Sequence, residues 1–226
     1  MSPRRAGQDR APRAARPRAE PALSRHDWTL AARDAFVRGG VHAVKVDRLA
    51  DRLGVTRGSF YHHFRNRADL LDALFELWRA QNVAPFEAIA RADHLAGWGR
   101  LEKVVELWLE ETLFDPALES AVRDWAREAR RVADAIRAAD AGRIELLWQA
   151  YREMGFPDDE AFVRARVTYF HQVGYYTLAI RESKAERRRL LPLYLEVLAR
   201  RPDAAANEGG TRRLGRDDPS PCAIES

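Results

Sequence analysis

The sequence is nearly free of cysteine and contains no long hydrophobic run. Its single cysteine among 226 residues is Cys222, in a polar stretch near the end, which excludes disulfide frameworks and cysteine-based zinc sites. No apolar run approaches the roughly eighteen residues that a membrane-spanning helix requires, and no apolar stretch follows the N-terminal arginines. We therefore expect a cytoplasmic protein with no membrane partner.

Patterns typical of β-strands are also nearly absent, whereas apolar residues recur at helical spacing from Ser24 to Arg200. The sequence therefore predicts an all-α protein. Capping residues, glycines and prolines place the helices at about 26–38, 46–53, 57–63, 66–84, 101–112, 116–128, 130–153, 158–181 and 184–200. We expect Thr56 to cap the third helix with its hydroxyl, Pro85 to bend or end the fourth, and Pro192 to kink the last.

The two ends of the sequence differ in composition from the part between them. Residues 1–24 carry six arginines against two acids, a net charge of +4 that equals the formal charge of the whole chain. Their Arg, Pro and Ala content predicts a disordered basic arm, which is either a solvated leader or an electrostatic aid in binding a polyanion. The predicted organisation continues with a helix-turn-helix domain at 25–78, a ligand-binding and dimerisation domain at 79–201 and a disordered tail at 202–226.

The segment GVTRGSFYHHFRNRA, residues 54–68, contains three arginines and no acidic residue, although the chain has 34 acids. With the short helix before it, this segment predicts a helix-turn-helix, whose second helix enters the major groove of DNA. A carboxylate there would face phosphates spaced about every 1.7 Å along the duplex axis. Val55, Phe60 and Phe64 have the spacing of core residues, and His63 is expected to pack inward near Phe64.

Residues 26–78 resemble the DNA-binding domain of TetR-family transcriptional regulators, most closely in VDRLADRLGVTRGSFYHHFRNRADLLDAL, from Val46 to Leu74. The residues that match the family pattern are Ala50, Gly54-Val55-Thr56, Phe60-Tyr61-His62-His63-Phe64, Arg67 and Leu70-Leu71. The chain departs from the pattern at Lys45, Val46 and Asp47, where the family usually has a threonine, and at Arg67, where it usually has a lysine.

This resemblance implies an N-terminal three-helix DNA-binding domain, joined by helix four to a C-terminal helical ligand-binding and dimerisation domain. It implies a repressor that binds a palindromic double-stranded DNA operator as a homodimer. Phosphates would be held by Thr56, Tyr61 and Arg67, and base edges would face Arg57, Ser59 and His62. The complete set of expected DNA-binding residues is Thr56, Arg57, Gly58, Ser59, Tyr61, His62, Arg65 and Arg67.

The second half of the chain is dense in aromatic residues, which form either an ordinary core or the wall of a ligand cavity. With the resemblance, we expect a small apolar or aromatic effector that releases the protein from DNA, with helix four as the lever. The expected ligand-binding residues are Trp108, Trp125, Trp148, Tyr151, Tyr169 and His171.

The last two long helices are expected to form a four-helix bundle across a two-fold axis, because one helix-turn-helix contacts too few base pairs. Gly174 would permit close approach of the two copies. The expected dimer-interface residues are Val167, Phe170, Gly174, Leu178, Leu191, Tyr194, Leu195 and Leu198.

Other functions have weaker support in the sequence. It lacks the Gly-x-Ser-x-Gly, His-Glu-x-x-His, Walker and Rossmann patterns, so we expect neither an enzyme nor a cofactor. His62 and His63 are adjacent, whereas helical metal pairs are three or four residues apart, so no metal site is expected. A helical adaptor without DNA binding remains the alternative, although an adaptor has no use for three arginines around a capped helix.

Overall fold

The computed structural model describes residues 23–200, which fold into helices and connecting turns without a strand. The all-α prediction is confirmed. The helices are α1 Arg25–Gly39, α2 Val46–Leu53, α3 Arg57–Tyr61, α4 Arg67–Trp78, α5 Ala84–Ala90, α6 Gly97–Glu110, α7 Pro116–Trp125, α8 Arg130–Glu153, α9 Asp158–Thr177 and α10 Lys184–Ala199. Residues 1–22 of the predicted basic arm, the predicted C-terminal tail and Cys222 lie outside the described residues. The chain divides into two compact units, one ending at Leu77 and the other beginning at Trp78.

In the first unit, α1 begins with a complete capping box, as its sequence predicts. The backbone N–H of Asp27 donates to the hydroxyl of Ser24 at 3.2 Å, and that of Ser24 donates to the Asp27 carboxylate at 2.7 Å. The core of this unit is aromatic and aliphatic. Its largest fully buried side chains are Trp28, Phe36, Leu49, Phe60, Phe64, Leu70 and Leu74.

The turn between α2 and α3 is set by Gly54, which ends α2 with a φ of 68°. This left-handed conformation favours glycine, as expected from the sequence. The helix that follows is shorter than predicted, since α3 ends at Tyr61 instead of residue 63. Thr56 occupies the N-cap position, but its side chain makes no capping hydrogen bond, so that part of the prediction is wrong.

The chain after Trp78 also differs from the prediction. Asn66 caps α4 by accepting from the backbone N–H of Asp69 at 3.0 Å, as predicted. Beyond α4, however, the chain passes through a π-helical segment, Arg79–Val83, directly into α5, which begins at Ala84. Pro85 lies in the first turn of α5, where its missing N–H costs no hydrogen bond.

The second unit is built around the pairing of α8 with α9, against which α6, α7 and α10 pack. Its α8 has the predicted bounds. The prediction for α6 was wrong at its start, because Gly97 opens the helix and donates its N–H to the Glu153 carboxylate at 2.7 Å. The helix α9 ends at Thr177, short of the predicted 181, because Ala179 has a φ of 50° and cannot continue it. The helix α7 is also shorter than predicted, and α10 runs unbroken through Pro192.

Buried apolar side chains from α5, α6, α8, α9 and α10 form one cluster in this unit, with Leu101, Trp108, Leu147, Tyr151, Ala165 and Tyr169 among its members. Between residues 23 and 200, no helix is long and apolar enough to cross a membrane.

Candidate nucleic-acid interface

The short helix α3 is held in place by two buried phenylalanines. Phe60 lies at 5.3 Å between ring centroids from both Trp28 and Phe64, edge-on to the first and stacked on the second. Both phenylalanines are buried, which confirms their prediction as core residues. Because α3 has only five residues, this aromatic packing supplies the stability that so short a helix lacks by itself.

With Phe60 and Phe64 turned inward, α3 and the residues beside it present most of their other side chains outward. The residues at the surface are Thr56, Arg57, Gly58, Tyr61, His62 and Arg65, whereas Ser59 and His63 are half-buried. This exposed surface carries two arginines and no carboxylate of its own. It therefore offers hydrogen-bond donors and positive charge, the chemistry that binds nucleic-acid phosphates and base edges.

Arg67 has a structural position that the sequence reasoning did not anticipate. Its Nε donates to the carbonyl oxygen of Val44 at 2.7 Å, and one terminal nitrogen donates to the carbonyl oxygen of Val41. These bonds tie the start of α4 to the turn before α2. Two of the donors that the expected phosphate contact would use are therefore already occupied.

Arg25 was also missed by the sequence reasoning, and it links α1 to the segment after α3. Its guanidinium donates to the carbonyl oxygen of His63 at 2.5 Å and to Asp69 at 2.8 Å, and lies 4.0 Å above the centre of the Phe64 ring. Hydrogen bonds from Arg25 and from the Arg65 backbone lower the pKa of Asp69 to about 2. These contacts fix the chain that leaves α3, where His62 and Arg65 are exposed.

An acid on α2 faces the exposed arginine at the start of α3. The carboxylate of Asp47 lies 2.6 Å from Nε of Arg57, and both side chains are 63% exposed. Sequence reasoning noted Asp47 only as a departure from the family pattern. A pair ten residues apart across a turn has no signature in helical spacing, so the sequence carried no signal for this contact.

Three cavities in the described part of the second unit bear on the ligand prediction, and four of the six expected ligand-binding residues line two of them. A cavity of about 80 Å³ among α6, α9 and α10 is lined in part by Trp108, Tyr151 and His171. A smaller one of about 30 Å³ is lined in part by Trp108 and Tyr169. Burial lowers the pKa of His171, which favours the neutral imidazole.

The largest of the three, which we call the α5/α8 cleft, has a volume of about 270 Å³. One wall comes from the segment between Trp78 and Ala90, with Phe86 in it, and the other from small residues of α8 together with Arg143. Trp125 and Trp148 line none of these three cavities. Trp148 instead packs edge-on against Phe162 at 5.3 Å.

A buried polar cluster lies at the centre of the second unit. The carboxylate of Glu119 accepts from Arg143 at 2.8 Å, from Trp78 at 2.8 Å, from Arg123 at 2.9 Å and from Asn82 at 3.1 Å. Burial by itself raises the pKa of Glu119, but the attraction and hydrogen bonds of Arg143 outweigh it and hold the pKa below its ordinary value.

The cluster also reaches α9 and the π-helical segment. Asp140 accepts from Arg123 and from the hydroxyl of Tyr169, each at 2.5 Å, and Arg143 donates to the carbonyl oxygen of Asn82 at 2.7 Å. Burial raises the pKa of Tyr169 to about 12, so this hydroxyl stays protonated and donates. Arg123 is thus paired with two acids of the protein, Glu119 and Asp140.

The expected dimer-interface residues divide into two groups. Val167, Phe170, Leu178 and Tyr194 are exposed, and an added Cβ at Gly174 would meet no atom within 4 Å. Leu191, Leu195 and Leu198 instead are half-buried and line the cavity among α6, α9 and α10. Further exposed apolar side chains that the sequence reasoning did not include are Phe162, Val163, Ile180, Leu193 and Val197.

Known proteins resemble the chain most clearly over its N-terminal part. The family model for bacterial regulatory proteins of the tetR family matches residues 29–74. The Transposon Tn10 TetC protein of Escherichia coli is 36% identical over 81 residues, which are 35% of this chain and 39% of that protein. The class A tetracycline repressor protein from transposon 1721, also from Escherichia coli, is 43% identical over 63 residues, 28% of each chain. The matched part thus spans less than half the length of these curated relatives.

Solved structures extend the likeness to the whole fold. The AmtR structure from Mycobacterium smegmatis has a TM-score of 0.54 with this chain at 21% identity, covering 83% of this chain and 92% of that one. At that identity the likeness concerns the fold, in which a helix-turn-helix unit precedes a larger helical unit. Over residues 29–74, the chain is thus similar to the bacterial regulatory proteins of the tetR family.

Proposed function

We propose that the protein is a transcriptional repressor that binds a specific double-stranded DNA operator through α3. The observation that carries this proposal is the α3 surface, whose own residues include arginines and no acid and which is fixed by buried Phe60 and Phe64. The tetR-family proteins that this chain resembles are transcriptional regulators rather than enzymes, in agreement with the lack of catalytic motifs in its sequence. A helical adaptor without DNA binding is not favoured.

The proposed roles of the α3 residues follow from their chemistry and exposure. Arg57 and His62 are exposed donors that suit base edges, and Ser59 lies between them in sequence. Thr56, Tyr61 and Arg65 suit phosphate oxygens, and Gly58 allows the backbone to approach DNA closely. We do not carry Arg67 into the interface, because Val41 and Val44 occupy two of its donors.

We further propose that the protein acts as a homodimer through α9 and α10. Exposed apolar side chains are concentrated on these two helices and directly after α9, and Leu178 and Val197 are 74% and 78% exposed. Apolar surface of this extent is typical of interaction sites on soluble proteins. A two-fold dimer would place two copies of α3 on half-sites about 34–36 Å apart, which predicts a palindromic operator.

The proposed effector is a small apolar or aromatic molecule that binds in the second unit. The cavity among α6, α9 and α10, at about 80 Å³, is smaller than the roughly 150 Å³ that holds benzene in an engineered core. The α5/α8 cleft, at about 270 Å³, holds a molecule of that size without rearrangement. We therefore place the effector in the cleft, with Trp78 and Phe86 as aromatic walls.

Gly142 offers a direct test of that placement, because an added Cβ there meets no atom within 4 Å. Gly142→Leu should fill the cleft and abolish binding of hits found by a tryptophan-fluorescence screen of small aromatic compounds. Leu198→Ala, which enlarges the other cavity, is the matched control and should leave binding of those hits unchanged. The reverse result would move the effector to the cavity lined by Trp108, Tyr151 and His171.

The repressor proposal itself is tested by selecting binders from a pool of random duplexes with the wild-type protein. We expect an enriched motif with two-fold symmetry. The variants Arg57→Ala and His62→Ala should recover degenerate motifs, whereas Tyr61→Phe should recover the wild-type motif with lower affinity. A wild-type selection without any enriched sequence would refute sequence-specific regulation.

A further inference from the structure

The ion pair between Asp47 and Arg57 brings a carboxylate of α2 to the first residue of α3, on the surface that we assign to DNA. Asp47 is the second residue of α2, and Arg57 is the first residue of α3. A carboxylate next to DNA repels phosphates and lowers affinity for every sequence. The pair is also too exposed to add much to stability, since each side chain is 63% exposed. Asp47 therefore opposes general DNA binding and contributes little to folding.

The geometry of the pair suggests what Asp47 does instead. Its carboxylate lies 2.6 Å from Nε of Arg57, which engages the inner edge of the guanidinium. An arginine contacts the O6 and N7 atoms of guanine with two parallel donors. With Nε engaged by Asp47, the two terminal nitrogens are the donors that remain for such a contact.

The position of Arg57 makes this orientation relevant to recognition. Residues at the N-terminus of a recognition helix contact base edges in the major groove. An unpaired arginine on a helix surface has many rotamers, and fixing one of them on binding costs conformational entropy. The pair with Asp47 restricts those rotamers before DNA arrives, and exclusion of water at the interface strengthens the attraction.

We propose that Asp47 is a positioning residue for sequence recognition, which holds Arg57 end-on toward a guanine in each half-site of the operator. This inference rests on the proposed function, since it requires α3 to read DNA. It implies that Asp47 lowers the affinity for random DNA and raises the discrimination in favour of the operator.

The decisive variant is Asp47→Asn, which keeps the shape of the side chain and removes its charge. Its affinity for a random duplex should rise, and the salt dependence of binding should steepen by about one ion. Its preference for guanine at the position read by Arg57 should fall by about five- to tenfold, part of the discrimination that a bidentate contact provides. The preferences at the other positions should remain as in the wild type.

Asp51→Asn is the matched control, because Asp51 is an exposed acid on the same helix, four residues further along. It should raise affinity for all duplexes without changing the guanine preference. Thermal unfolding of both variants should match the wild type, which excludes a general loss of structure. In an Arg57→Ala background, Asp47→Asn should have no further effect on base preference.

Two results would overturn the inference. An Asp47→Asn protein that keeps the full guanine preference shows that Arg57 needs no positioning. A change of base preference caused by Asp47→Asn in the Arg57→Ala background shows that Asp47 contacts a base itself. If the wild-type protein selects a motif, either result leaves the proposed function intact; if it selects none, the proposed function fails and this inference fails with it.

Discussion

The substitution Glu119→Gln tests the buried polar cluster of the second unit. Glu119 is 5% exposed, and its carboxylate receives hydrogen bonds from Trp78, Asn82, Arg123 and Arg143. Glutamine fills the same volume but presents one acceptor oxygen and one donor nitrogen. At least one of the present donors then faces an NH₂ group, and Arg143, itself 3% exposed, loses its principal counter-charge.

The expected loss of stability follows from these contacts. Removing one partner of a buried ion pair costs about 3–5 kcal/mol, because the remaining charge stays buried without compensation. This is a large share of the roughly 5–15 kcal/mol that stabilises a typical domain. Removing both charges, as in Glu119→Gln with Arg143→Met, should recover part of the loss, because no uncompensated charge remains.

The cluster also makes a pH-dependent contribution. The pKa of Glu119 is lower in the folded protein than its ordinary value of 4.5, so its contribution is present above that value. The contribution is lost as the pH falls through the folded pKa. Glu119→Gln should remove this acid-sensitive part, and its stability should vary less than that of the wild type below about pH 5.

Urea unfolding followed by tryptophan fluorescence measures these effects, since five of the six tryptophans lie in the second unit. Asp124→Asn is the control on the same helix, because the Asp124 side chain is 74% exposed, and it should change stability by less than about 0.5 kcal/mol. A Glu119→Gln protein as stable as the wild type at pH 7 would refute the reasoning.

Three further predictions concern both units. Arg67→Ala should lower the stability of the first unit by about 1.5–3 kcal/mol, since it removes the donors to Val41 and Val44. Arg65→Ala is the control and should leave the stability unchanged, so equal unfolding curves for the two variants would contradict this prediction. Gly54→Ala should lower the free energy of unfolding by about 1–2 kcal/mol, because alanine is strained in the left-handed conformation of this residue. Steric clash adds nothing, since the added methyl group meets no atom within 4 Å. Unchanged urea unfolding would be evidence against that strain. Val197→Arg should yield folded monomers in analytical ultracentrifugation, because Val197 is exposed on α10. Leu195→Arg should instead unfold the protein, because Leu195 packs against the core. If the Val197→Arg protein forms dimers of wild-type affinity, α10 is excluded from the interface.

Local signals in the sequence predicted most of the helices. The capping box at Ser24 and the glycine at position 54 are confirmed because each depends on hydrogen bonds or backbone angles within a few residues. The helix α8 is predicted at both ends for a similar reason. The sequence signal at Pro85 allows two interpretations, since a proline can mark either the end of a helix or the first turn of the next, and Pro85 lies in the first turn of α5.

The polar contacts of the candidate sites were less predictable, because they join residues far apart in sequence. Glu119 meets Trp78 and Arg143, which are 41 and 24 residues away, and helical spacing relates residues only three or four apart. Arg67 fits the family pattern by type, yet its neighbours are backbone carbonyl groups that no sequence pattern reveals. The exposed surface of α3 was predictable, since the spacing of Phe60 and Phe64 determines which side chains face outward.

The central claim is that α3 reads DNA sequence, and a competition titration tests it most directly. The operator recovered by selection and a scrambled duplex of equal composition compete for the wild-type protein and for the double variant Arg57→Ala, His62→Ala at physiological salt. Specific binding typically exceeds non-specific binding by about 10³-fold or more, and we expect the wild type to show such a preference. The double variant should lose most of it, since each good base contact contributes about 1–3 kcal/mol of discrimination. A double variant that stays folded and prefers the operator as strongly as the wild type would show that α3 does not read the sequence.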